Sequence, residues 1–151
     1  MLQAPGDLDS EGHFRKRFPN LRLSDRHKSF QSAVNGSRLI LCTDNGTTFI
    51  EALYLDTPTV LYYNPKRYSL TPCGAAAIRQ LELAGVVHST PESAAYHIAS
   101  IWDRPRRWWC APETRLAVAG FLRKFGNVTE HPHRDMADVL TKVGLEFAKK
   151  D

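Results

Sequence analysis

No apolar run in this chain approaches the roughly 20 residues that a bilayer-spanning helix requires. An apolar signal core is missing too: Asp7, Asp9 and Glu11 occupy the start, so the reading is a cytoplasmic protein, with peripheral association at the inner membrane face left open. Cysteine is scarce. Cys42, Cys73 and Cys110 show no CxxC or metal-ligand spacing and no Cys-His-Asp constellation, which points to reduced structural thiols and no metal site. Neither a Walker A pattern nor GxGxxG occurs, which argues against a P-loop ATPase and a nicotinamide enzyme, and no cofactor is expected. Charge is modest: +4 with a pI near 9.1 suits an anionic ligand but is too mild for a nucleic-acid partner.

What is present is the profile of one globular domain: 151 residues, 42% hydrophobic and 24% charged. Residues 1–20 are expected to be poorly ordered, with the domain running over 21–151. Leu21 and Leu23 suggest a short edge strand. Ser24 or Asp25 can cap a helix with Phe30, Ala33 and Val34 inside, which Asn35-Gly36 ends. "RLILCT" (38–43) is a compact apolar run of strand length that lacks clean alternation, as strands covered on both faces do; "TVLYY" (59–63) is a second β-rich run and "VVH" (86–88) a short third strand. Between and after them lie helical patterns: "TTFIEALYL", "AAAIRQLELAG" with Gly85 as its stop, and "STPESAAYHIASIWD" with Thr90 as cap and Pro91 at the first position. The last of these has Ala94, Ile98, Ile101 and Trp102 on its apolar face. One further helix groups Val118, Phe121, Leu122 and Phe125, and a last one Met136, Val139, Leu140, Val143 and Phe147. The order β-α-β-α-β-α implies a parallel sheet flanked by helices, a single Rossmann-like α/β domain with extra C-terminal helices.

Ligands of such sheets bind beyond the carboxyl ends of the strands. The loops leaving those ends, "DNGTT", "NPKRYS" and "HSTPE", are rich in donors and charge, whereas the opposite turns, "LDTP" and "LAG", are short and bland. A helix start offers unpartnered amides and about half a positive charge to an anion. Gly46 permits close backbone approach, Thr47 and Thr48 add hydroxyls, and Lys66 and Arg67 stand on the next loop. A plainer reading competes with this one. Thr48-Phe49-Ile50-Glu51 has the spacing of a capping box, which would seal the same helix start. Asp44 and Asn45 are ordinary turn formers. His88, at a strand end, is either a ligand contact or a half-buried polar residue.

"SRLILCTDNGTTFIEALYLDTPTVLYYNP" resembles the donor-binding half of GT-B glycosyltransferases, where a strand ends in a Gly/Ser/Thr turn and the next helix carries a Glu before a small-hydrophobic pair and G-x-P-x-V. Here those are Glu51, Ala52-Leu53 and "DTPTV", with Asp56 where the family often has Gly. Over residues 21–140, "TPTVLYYNPKRYSL", "LELAGVVHSTPESAAYHIASIWD" and "RRWWCAPETRLAVAGFLRKF" look like the C-terminal part of bacterial transferases of surface carbohydrate and spore-coat polysaccharide synthesis. "CTDNGTTFIEAL" is also similar to teichoic-acid-type glycerophosphotransferases.

The resemblance implies one half of a GT-B fold that binds a nucleotide-sugar donor, with phosphate at Gly46, Thr47 and Thr48 and ribose at Glu51. The full expected donor set is Asp44, Asn45, Gly46, Thr47, Thr48, Glu51, Asn64, Lys66, Arg67 and His88; no catalytic base is assigned. The N-terminal acceptor half of that plan is missing, so either the chain is a fragment of a longer gene or a partner chain supplies it, and the isolated chain is not expected to catalyse transfer. Two rivals remain: transfer of an alditol phosphate from a CDP-activated donor, and a non-catalytic interaction module docking through Trp108, Trp109 and the neighbouring arginines. Core packing is the default for those tryptophans. His131-Pro132-His133 lacks a third metal ligand and reads as surface loop.

Overall fold

The computed structural model describes residues 10–23, 29–66, 69–126 and 129–148. The chain divides into two compact units, Met1–Gly36 and Ser37–Asp151. The first holds α1 (Ser10–Arg17) and α2 (Phe30–Val34). An Arg15–Glu11 pair at 2.8 Å bridges one turn of α1, which lies inside the segment expected to be poorly ordered. The edge strand expected at Leu21–Leu23 does not form. Leu21 N–H instead bonds Phe18 O at 3.0 Å, so this stretch is a turn following α1. Ser29, not Ser24 or Asp25, caps α2 by accepting from Ser32 N–H at 3.2 Å; Ser24 and Asp25 lie outside the described residues.

The second unit is a single Rossmann-like α/β domain. Its elements are β1 (Ile40–Cys42), α3 (Thr47–Tyr54), β2 (Thr59–Tyr62), α4 (Pro72–Leu83), β3 (Val87–His88), α5 (Pro91–Ile101), α6 (Pro105–Trp109), α7 (Pro112–Phe125) and α8 (Pro132–Ala148). The sheet is parallel in the order β1-β2-β3, with Cys42 beside Leu61 and Tyr62 beside His88. Side chains alternate between its faces. Cys42, Leu61 and Tyr63 enter the main core with Phe49 and Leu53 of α3, Ile78 and Leu81 of α4, and Val118 and Phe121 of α7. Leu41 and Tyr62 point the other way and line a cavity with Ala94 and Ile98 of α5. Helices therefore cover both faces, although α5 covers its face incompletely: Leu41 is 50% exposed, and of the apolar face read from the sequence only Ala94 is buried, with Trp102 exposed. Among the described residues no helix is long and apolar enough to cross a membrane.

The helix stops before β2 and β3 fix the layers. After α4, Val86 N–H bonds Leu81 O at 2.8 Å and Gly85 N–H bonds Glu82 O at 3.0 Å, with Gly85 at φ +73°. Only glycine suits this place, because a Cβ there would also lie 2.9 Å from the His97 ring. After α3 the same left-handed position falls to Asp56, at φ +51°. Aspartate is among the few side-chain-bearing residues that tolerate it, and here the side chain is put to use. Asp56 Oδ1 accepts from Trp109 Nε1–H at 2.8 Å and from Arg115, while Arg106 donates to the Asp56 carbonyl at 2.8 Å. One turn residue thus ties α3 to α6 and α7.

That network corrects the docking role entertained for the tryptophans. Trp109 is fully buried in the core, and Trp108 is half-buried with Nε1–H donating to Ala84 O at 3.0 Å. Of the neighbouring arginines, Arg106 is held by Asp56.

Candidate functional site

The loops after β1, β2 and β3 leave the sheet side by side, because the strands are parallel and paired in register. The topology therefore gathers Asp44–Thr48, Asn64 with Lys66, and His88 at one end of the sheet. Arg67 lies outside the described residues.

The loop between β1 and α3 is built on an Asx turn. Asp44 Oδ1 accepts from Gly46 N–H at 2.9 Å. A side chain on residue 46 would meet that oxygen at 2.7 Å, so glycine is needed here for space rather than for an unusual φ. Asn64 does the same on the neighbouring loop, its Oδ1 accepting from Lys66 N–H at 3.0 Å. Asp44 and Asn64 are thus committed to shaping turns. Asn45, next to Asp44 in sequence, is half-buried.

The three helices that follow strands start differently. Thr71 caps α4 by accepting from Gly74 N–H, and Thr90 caps α5 by accepting from Ser93 N–H, both at 3.2 Å. The start of α3 receives no side-chain cap; Gly46 is its N-cap, and Phe49 N–H returns to Gly46 O at 3.2 Å. The capping box expected from Thr48 and Glu51 is therefore not formed. It would need Thr48 just outside the helix, and the helix begins at Thr47. Thr47, Thr48 and Glu51 are all exposed, and the first-turn amides face that surface without a side chain to occupy them.

His88 behaves otherwise. Its Nε2 lies 3.0 Å from Gly85 O and its Nδ1 2.8 Å from Ser93 Oγ. A carbonyl only accepts, so in the neutral ring Nε2–H donates to Gly85 O and Nδ1 accepts a hydrogen bond from the Ser93 hydroxyl. Both nitrogens are then used within the domain, which fits the half-buried structural residue rather than a ligand contact. Behind it the His97 ring lies tilted at 5.1 Å from the His88 ring and meets Trp108 edge-on at 4.9 Å. Burial first, and the neighbouring His88 second, hold the His97 ring below the usual histidine range. Burial, and then the charge of Asp44, push the Cys42 thiol up to about 11, so the cysteine under this loop is no nucleophile.

The geometry is a ledge. Cavities of about 670, 630 and 390 Å³ are lined by α4 and α7, by the α5–α6 region, and by β1, β2 and α5, and none includes residues 43–48. Chemically, the ledge offers backbone donors, two hydroxyls and a helix dipole toward an anion, with the exposed Lys66 on the adjacent loop.

A model of the LIC12162 family transferases matches residues 3–140. No curated protein and no solved structure matches the chain.

Proposed function

We propose, from the premise that the chain belongs to the LIC12162 family of transferases, that the start of α3 holds the phosphates of a nucleotide-activated donor. One observation carries this reading: of the three helices that follow strands, α4 and α5 are sealed by threonine side chains and α3 is left open, at the carboxyl end of a parallel sheet. The Thr47 and Thr48 amides and hydroxyls would meet a diphosphate. Glu51, one turn on, would accept from ribose hydroxyls, and Lys66 with Arg67 would balance remaining charge. Asp44 and Asn64 shape the two loops rather than touch the donor.

The finer proposal is a nucleotide-sugar donor for glycosyl transfer in surface polysaccharide synthesis, in the manner of a GT-B donor half. The bond broken would be that between the anomeric carbon and the diphosphate, and the fixed dipoles of this ledge would stabilise charge growing on the leaving phosphate. The exposure of Gly46, Thr47, Thr48 and Glu51 would suit a site completed by a second surface, which would bring the acceptor and the base.

The test is thermal denaturation with UDP, GDP, CDP and CDP-glycerol at millimolar concentration. A ligand present at 100 times its Kd stabilises by about 2.7 kcal/mol, a shift easily read. One of the first three should raise the midpoint, and Glu51→Ala should weaken that response about tenfold or more by removing a charged hydrogen-bond acceptor. Response to CDP-glycerol alone would favour alditol-phosphate transfer. Folded protein indifferent to all four would sink the assignment.

A further inference from the structure

Helix α8 has an apolar stripe of Met136, Val139, Leu140 and Val143, spaced to share one face. Every residue from Pro132 to Val143 is exposed, and the four stripe residues are 61%, 57%, 64% and 43% exposed. A stripe of this kind left in water marks an interaction surface. The residues off the stripe carry both signs, with Asp135 and Asp138 against Arg134 and Lys142. A membrane-surface helix would be Lys/Arg-rich there, so the composition favours a protein partner.

The same chain carries a matching seat. Between α4 and α7 runs a groove of about 670 Å³ whose floor is small residues, Ala76, Ala77, Ala117 and Gly120. Leu83 and Leu116 stand along it, 68% and 73% exposed. Charge fixes a direction. Glu113 lies at the amino end of α7, and Arg123 and Lys124 at its carboxyl end. An antiparallel α8 would set Asp135, on the flank of the stripe, beside Arg123 and Lys124, and Lys142, on the same flank, toward Glu113.

We propose that two copies of this chain exchange α8, each laying it antiparallel in the α4–α7 groove of the other. The interface is isologous, since helix and groove are both present on each copy. The apolar stripe supplies the affinity and the rim charges set the register.

The measurement is the solution mass of the full chain by size exclusion with light scattering at tens of micromolar. The expected mass is 2 × 17.1 kDa, or 34.2 kDa. Leu140→Asp on the helix and Leu116→Asp on the groove should each raise the dimer dissociation constant about tenfold or more, since each puts a charge into the apolar contact. Neither side chain is in the core, so melting of the diluted monomer should stay unchanged. Mixing the two variants should recover dimers in part, because the mixed pair has one unaltered helix–groove seat and one doubly altered one. Arg123→Glu should weaken the dimer and Asp135→Arg in the same chain should recover it. A monomer with α8 amides protected from exchange means closure on its own groove and overturns the exchange. A monomer with those amides unprotected overturns the groove as a seat. Flotation of the monomer with anionic vesicles overturns the protein partner.

Discussion

Replacing Asp56 separates the two things that residue does. Its carboxylate takes the Trp109 indole proton and pairs with Arg115 and Arg106, while its backbone holds a left-handed turn. Asn keeps an acceptor oxygen and tolerates the turn, so Asp56→Asn removes only charge. Both arginine side chains and the carboxylate are half exposed or more, so each pair is discounted for solvent to about 0.2–1 kcal/mol. Asp56→Ala loses the pairs as well and leaves Trp109 Nε1–H without its acceptor in a fully buried residue. An orphaned buried donor costs about 1–3 kcal/mol, and a left-handed alanine roughly 1–2 kcal/mol. The Ala variant should therefore be about 2–5 kcal/mol less stable than the Asn variant, on the order of 10–20 °C in melting temperature for a unit of this size.

Urea unfolding followed by tryptophan fluorescence at pH 7 reads the difference directly. Equal loss in the two variants would refute the reasoning, since it would make charge the only contribution. Acid supplies a second readout. Burial raises the Asp56 carboxyl, but the Trp109 and Arg115 hydrogen bonds and the Arg115 and Arg106 charges outweigh it and hold it below its ordinary value. Its contribution is then present above the unfolded value near ~3.9 and is lost as pH falls through the lower folded value. The gap between wild type and Asp56→Asn should narrow on acidification below about pH 4.

Three further outcomes are expected. His97→Phe removes a buried Nε2 that has no hydrogen-bond partner among the described residues and keeps the edge-on contact with Trp108, so it should be neutral or stabilise by up to about 1–2 kcal/mol. Because the folded His97 resists protonation, wild-type stability should fall as pH drops below about 6.5, and the Phe variant should lose that slope; a melting series from pH 8 to 5 tests both. Gly85→Ala should cost about 2–4 kcal/mol in urea unfolding, from the left-handed turn and the collision with His97; a loss under about 1 kcal/mol would contradict the cap geometry. Iodoacetamide at pH 8 should modify the exposed Cys73 and Cys110 in the native state and Cys42 only after unfolding, counted by intact mass.

The layer plan was legible because β1, β2 and β3 are short apolar runs alternating with helices whose stops are local signals. Gly85 ends α4 and Thr90-Pro91 opens α5 where the sequence reading placed them. Short range also explains the misses. An apolar Leu21–Leu23 pair looks the same with or without a strand to pair with, and the five residues of α6 are too few to show a period. The capping box failed by register alone: Asp44 fixes Gly46, and the helix begins before Thr48 can stand outside it. The Asp56 network was hidden because its partners are 50 to 59 residues away. The resemblance flagged the position only as an Asp in place of Gly. At the ledge, the gathering of three loops followed from topology, whereas the saturation of His88 by Gly85 and Ser93 needed coordinates.

These placements separate stability from binding. Asp56 and Gly85 sit in the turns that enter β2 and β3, at the amino ends of the strands, and there the helices are locked by long-range hydrogen bonds and a left-handed cap. The loops at the carboxyl ends are held by local bonds, Asp44 to Gly46 and Asn64 to Lys66, that span two residues each. A loop held only by itself can change its side chains without disturbing the core, as binding loops on rigid scaffolds do. An Asp56 variant should therefore lower the melting point of free and ligand-bound protein alike and leave the ligand-induced increment intact. A Thr48 or Glu51 variant should do the reverse, with an unchanged free protein and a smaller increment. If Asp56→Asn abolished the nucleotide response while the protein stayed folded, the two ends would be coupled through the sheet, and the ledge could not be the self-contained anion site described.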